Sequence, residues 1–161
     1  MVTTIVIGVF IAGMIAMTIW ALNSTLDKLQ LLPGEQRLKD YKNLWVGVSG
    51  GGPETTIFKN ARIVLTDQRL VVAQKMLGRN KYVLRYFIYF AADSGNFGLT
   101  RGVVELRLGP ASVNLLEDKR KYLRLSPADN LFFNHIDVGG EDIEELYSAL
   151  NKIVASKSIT G

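Results

Sequence analysis

The chain contains no cysteine and a single histidine, His135. Disulfides, thiolate nucleophiles and cysteine-ligated metals are therefore excluded, as is any multi-histidine metal site within one chain. Charge is also missing from a whole region. All 19 Lys and Arg and all 15 Asp and Glu fall from Asp27 onward, leaving residues 1–26 without one ionisable side chain. The chain is thus two pieces suited to different solvents.

The first piece has the length of a membrane span. Ile5 to Leu22 reads IVIGVFIAGMIAMTIWAL, and with Met1 to Thr4 it makes 22 uncharged residues. As a helix these extend roughly 33 Å, enough for a hydrocarbon core of about 30 Å. Trp20 stands near one end, where an indole anchors at the interface. A cleaved secretory signal would need a basic start and small residues around a cut site. Nothing basic precedes this run, and Trp20-Ala21-Leu22-Asn23 makes a poor cleavage site. The expectation is a retained single-pass anchor over 1–26, counting its polar exit, with a linker over 27–32.

Lys28, Arg37, Lys39 and Lys42 follow the apolar run, and no basic residue precedes it. That asymmetry predicts a cell-membrane protein with its C-terminal domain in the cytoplasm. Gly8, Ala12 and Ala16 fall on one helical stripe, a spacing that lets two spans pack closely; Gly and Ala are also simply common in such spans.

The second piece alternates with period two, the signature of strands. Ala61 to Thr66 and Arg69 to Ala73 flank a turn-like Asp67-Gln68 and predict a hairpin. Further strands are expected at 43–48, 82–90, 103–108, 112–116, 122–125 and 131–136, with a turn at Gly109-Pro110. In the aromatic stretch from Tyr82 to Phe90, the even positions Tyr82, Leu84, Tyr86, Ile88 and Phe90 are expected to share one face. About seven strands at short spacing predict a mainly β domain, a barrel or sandwich, over 33–156.

A helix is expected at about 141–155. Glu141 and Asp142 suit the positive end of its dipole, and Ile143, Leu146, Tyr147, Leu150, Ile153 and Val154 form one apolar stripe. That stripe must be buried against the β-structure, capping an open end. Residues 157–161 form a tail.

Two short stretches carry a family likeness. Leu32-Pro33-Gly34-Glu35, and the hairpin from Ala61 to Val72 with its Thr66-Asp67-Gln68-Arg69-Leu70 turn, resemble elements of bacterial pleckstrin-homology-like (PH-like) and GRAM-type domains. The resemblance covers about residues 32–155 and implies a seven-stranded barrel closed by a C-terminal helix. It also implies a module that binds lipids, peptides or proteins without catalysis. Members that bind phosphoinositides usually carry Lys and Arg between the first two strands. Here Ser49-Gly50-Gly51-Gly52-Pro53-Glu54 has no basic residue, so that mode of recognition is not expected.

Chemistry is sparse elsewhere. The Gly50-Gly51-Gly52-Pro53 run lacks the Gly-Lys-Ser/Thr of a phosphate cradle. His135 has no evident nucleophile beside it, and the acids Glu141, Asp142, Glu144 and Glu145 suit a helix start better than a metal site. No enzyme and no cofactor are expected. From Lys59 to Arg124 there are 13 basic and 5 acidic residues, net +8; from Leu125 onward there are 2 and 6, net −4. Lys75, Arg79, Lys81 and Arg85 gather around one expected turn, and Lys119, Arg120, Lys121 and Arg124 around another. These two clusters are the candidate contacts for an acidic partner or anionic lipid. Charged loop tips also serve solubility alone. No RNA-binding motif accompanies the charge, so nucleic acid is not an expected partner. The leading expectation is a tethered scaffold meeting a protein partner or a second copy, basic body to acidic helix. Lipid-headgroup binding through the basic loops is the alternative.

Overall fold

A computed structural model describes residues 24–50, 55–90, 98–100, 103–128 and 133–158. The expected span and its stripe of Gly8, Ala12 and Ala16 lie outside these residues. Among the described residues, no helix is long and apolar enough to cross a membrane.

The domain is mainly β. Its strands are β1 (Arg37–Gly50), β2 (Thr55–Thr66), β3 (Arg69–Lys75), β4 (Tyr82–Tyr89), β5 (Gly98–Thr100), β6 (Val103–Glu117), β7 (Lys121–Pro127) and β8 (Phe133–Gly139). One helix follows, α1 (Ile143–Ser158). The sheet order is β4-β3-β2-β1-β8-β7-β6-β5, and a further pairing joins β4, at one end, to β6, next to the other. Seven strands, all but the three-residue β5, therefore form a ring of pairings. An odd ring cannot be antiparallel throughout, so one pair must be parallel. That pair is β4–β6, with Tyr86 beside Val104 and Tyr89 beside Arg107.

The long strands β1 and β2 bend at bulges. The register slips between Tyr41 and Leu44 and again between Leu44 and Val46. Asn43 and Asn60 hold φ values of 57° and 56° there, a left-handed conformation that Asn tolerates better than most residues. Beyond the bend, Trp45 to Gly50 pair with β8 on the second edge of β1.

Two sequence expectations change. Gly109-Pro110 is not a turn: β6 runs through it, and the register slips between Leu108 and Val113 instead. The even positions of β4 do not share one face either. Val72 pairs with Tyr86 but Ala73 pairs with Leu84, which leaves Arg85 as an extra residue. The bulge sends Tyr86, Ile88 and Phe90 to the main core and Leu84, with Tyr82, to a second apolar cluster.

The main core gathers Tyr41, Leu44, Ile63, Leu65, Leu70, Ile88, Leu123 and Ile136. Helix α1 inserts Ile143, Leu146 and Leu150 into it, with Tyr147, Ile153 and Val154 packed at its margin. The whole expected stripe is thus used. Gly139 and Gly140 precede the helix, and a Cβ at Gly139 would sit 2.3 Å from the Trp45 indole.

Candidate functional site

The stretch following the apolar run is part of the fold, not a free linker. Thr25 bridges to Val83 of β4, and the Ser24 carbonyl accepts the Leu84 N–H at 2.8 Å. A 3-10 turn over Leu26–Lys28 follows. Leu26 is buried against Val64, Val71, Ala73, Leu84 and Val103, with Leu29 beside it. Residues 24–36 are a strap across the outer face of β2, β3 and β4. Its polar sequence hid this, because only Leu26, with Leu29 beside it, does the covering.

The strap is latched at its far end. Leu32-Pro33-Gly34-Glu35 is a turn closed by the Glu35 N–H on the Leu32 carbonyl at 3.0 Å. Pro at the second position and Gly34 at φ 76° are the type II preferences. The turn delivers Glu35 into the barrel wall, where Arg69 meets it with two parallel bonds: Nε to Oε1 at 2.9 Å and Nη2 to Oε2 at 3.0 Å. The two side chains are 3% and 0% exposed. Arg69 also donates to the Gln30 carbonyl at 2.8 Å and lies over the Phe87 ring, 4.4 Å from its centre. Glu35 Oε2 accepts the Leu32 N–H at 2.6 Å. Thr66 Oγ1 lies 2.7 Å from Glu35 Oε1 and accepts the Arg69 N–H at 2.9 Å. A buried charge pair persists only when its bonding capacity is filled this way.

Around Asp40 a second network forms on the surface, with Arg37 and Arg62. Burial alone would push the Asp40 carboxyl up, but hydrogen bonds from the two guanidinium groups hold it below the usual range.

The two basic clusters differ. In the turn between β3 and β4, the Arg79 N–H donates to the Met76 carbonyl and Gly78 takes φ 71°. This places Leu77 at the corner, 102% exposed. Lys75, Arg79, Lys81 and Arg85 are all exposed. Arg85 donates to Gln74 at 2.9 Å, and no ion pair among the described residues involves any of the four.

The β6–β7 cluster is half neutralised. Lys121 bonds Glu144 at 2.5 Å, and this contact holds the Glu144 carboxyl below its usual range. Arg124 grips Asp137 with bonds of 2.8 and 2.9 Å. Lys119 and Arg120 are exposed. Lys39 engages Glu145, so of the acids at the start of α1 only Glu141 and Asp142 have no ion pair among the described residues.

Strand direction also separates the clusters. β3 and β7 both run parallel to β1, each two antiparallel steps away. The first cluster follows the end of β3 and the second precedes the start of β7, so they leave the barrel at opposite ends.

Other candidates are modest. His135 Nε2 lies 3.6 Å from Asp137, itself held by Arg124. A cleft of about 670 Å³ between β1, the β6–β7 turn and α1 sets Lys42, Trp45 and Lys121 against Glu141 and Glu144, and of these Lys121 and Glu144 pair with each other. The glycine run from Gly51 to Glu54 lies outside the described residues. Comparison with family models, with curated proteins and with solved structures gives no match to this chain.

Proposed function

We propose that this chain is a single-pass membrane protein carrying a non-enzymatic, PH-like binding module on the cytoplasmic face of the cell membrane. The seven-strand ring capped by α1 supports the PH-like reading. So does the meeting, in one buried ion pair, of the two stretches that resemble that family.

The observation that carries the tethered reading is the docked strap. Leu22 ends the apolar run three residues before Thr25, a reach of at most about 10 Å. Thr25 is already bound to β4. The domain therefore rides close to the bilayer with no slack, and weak contacts there act at high effective concentration. Those contacts serve a protein partner or a second copy, with anionic lipid as the alternative.

The absence of native cysteine makes the test direct. Thr3→Cys and Lys119→Cys each give a unique thiol for a membrane-impermeant maleimide. In intact cells we expect Thr3→Cys to react and Lys119→Cys to react only after permeabilisation, with the protein resisting carbonate extraction. Release by carbonate, or equal labelling of both positions, refutes the reading.

A further inference from the structure

The four exposed large hydrophobics among the described residues are Leu31, Leu38, Ile57 and Leu77. Two of them share one end of the barrel. The β3–β4 turn follows the end of β3. β2 is antiparallel to β3, so its first residues, including Ile57 at 60% exposure, lie toward that same end. Lys59, Lys75, Arg79 and Lys81 are exposed around them. None has an ionic partner among the described residues, whereas three cations elsewhere, Lys39, Lys121 and Arg124, are each engaged by an acid.

Exposed aliphatics ringed by unpaired cations suit the boundary of an anionic bilayer: the apolar tips enter the headgroup layer and the ammonium and guanidinium groups meet lipid phosphates. The end is also near the tether. Thr25 pairs with Val83, the second residue of β4, and Leu77 lies six residues before Val83, at most about 20 Å along the chain.

Resting on the tethered reading, we infer that this rim is a second membrane contact: Leu77 and Ile57 enter the headgroup layer while Lys59, Lys75, Arg79 and Lys81 hold it to anionic lipid. Its four cations are spread over β2, the end of β3 and the β3–β4 turn. The rim therefore answers to charge density, and the β6–β7 cluster at the opposite end takes no part.

The test uses the full chain in nanodiscs of phosphatidylcholine, alone or mixed with phosphatidylglycerol or phosphatidylserine. Asn80→Cys, in the turn, carries an environment-sensitive dye; Lys119→Cys carries it as the far-end control. The expected result is a blue shift and brightening at position 80 in both anionic mixtures, reversed by salt, with position 119 unchanged. Each cation contributes roughly fivefold to the population in contact, so Lys75→Glu, Arg79→Glu and Lys81→Glu together lower it more than a hundredfold. Leu77→Ser is expected to weaken the blue shift while leaving the salt dependence. In a Trp20→Phe background, Trp45 fluorescence reports that each variant is folded.

A dye at position 80 that stays water-like in all three lipids at low salt overturns the inference, even while the protein remains carbonate-resistant. An equal response at position 119 overturns it too. Loss of carbonate resistance overturns the tethered reading and this one with it.

Discussion

Replacing Glu35 by Gln keeps the shape of the latch and removes its charge. Arg69 is 3% exposed and would remain charged in the wall, bonded to the Gln30 carbonyl and covered by Phe87. Breaking one side of a buried pair costs about 3–5 kcal/mol, because the remaining ion is uncompensated. At a urea slope of about 2 kcal/mol/M, the midpoint falls by about 2 M. Replacing Arg69 by Met instead leaves a buried carboxylate and is expected to cost as much. The double variant leaves no orphan charge and should fall well short of the sum, with a coupling energy above about 2 kcal/mol. The assay is urea unfolding of the full chain in micelles, followed by Trp45 fluorescence in a Trp20→Phe background. A midpoint shift under about 0.5 M for Glu35→Gln, with an additive double variant, would refute the reasoning.

Three further outcomes are expected. Gly139→Ala puts a methyl into the Trp45 indole, should destabilise by about 1–3 kcal/mol, and should shift Trp45 emission; an unshifted spectrum at full stability counts against the close approach. Leu146→Ala, at a fully buried position of α1, should cost about 2–5 kcal/mol, measured as a lower urea midpoint; an effect below about 0.5 kcal/mol would mean that the helix does not plug the core. Asp40, held low in the folded state, contributes stability that is complete above about pH 5 and is lost as pH falls through its folded value; Asp40→Asn should therefore flatten the acid limb of the stability–pH curve, and parallel limbs would contradict the pairing.

The elements readable in advance were those with a strong local period. The Ala61–Ala73 hairpin appears as β2 and β3, both longer than expected, and α1 buries the stripe that its spacing announced. The failures share a cause: each depended on partners distant in the chain. Gly109-Pro110 has turn chemistry, yet pairing of both flanks with β7 holds it within one strand. Arg85 broke the alternation of β4 because β3 offers one residue fewer. Glu35 and Arg69 are 34 residues apart, and no period links an acid in a Pro-Gly turn to a base that opens the second strand of a hairpin. The two basic clusters look equivalent as sequence, and only the folded contacts show that one meets acids while the other, among the described residues, does not.

The strap bears on how this domain is to be isolated. A fragment begun at residue 28 or later, the natural choice if the membrane-proximal residues were mere linker, loses both the Thr25 bridge and the Leu26 cover. It would carry Val64, Val71, Ala73 and Leu84 bare on the outer face, beside a β4 edge stripped of its partner. Such a surface is sticky by construction. Dimers or aggregates of that fragment would report the position of the cut, and a pull-down with it would enrich for chains that bind any bare strand. A preparation beginning at Ser24 or earlier keeps the cover in place, so any association that survives belongs to the protein.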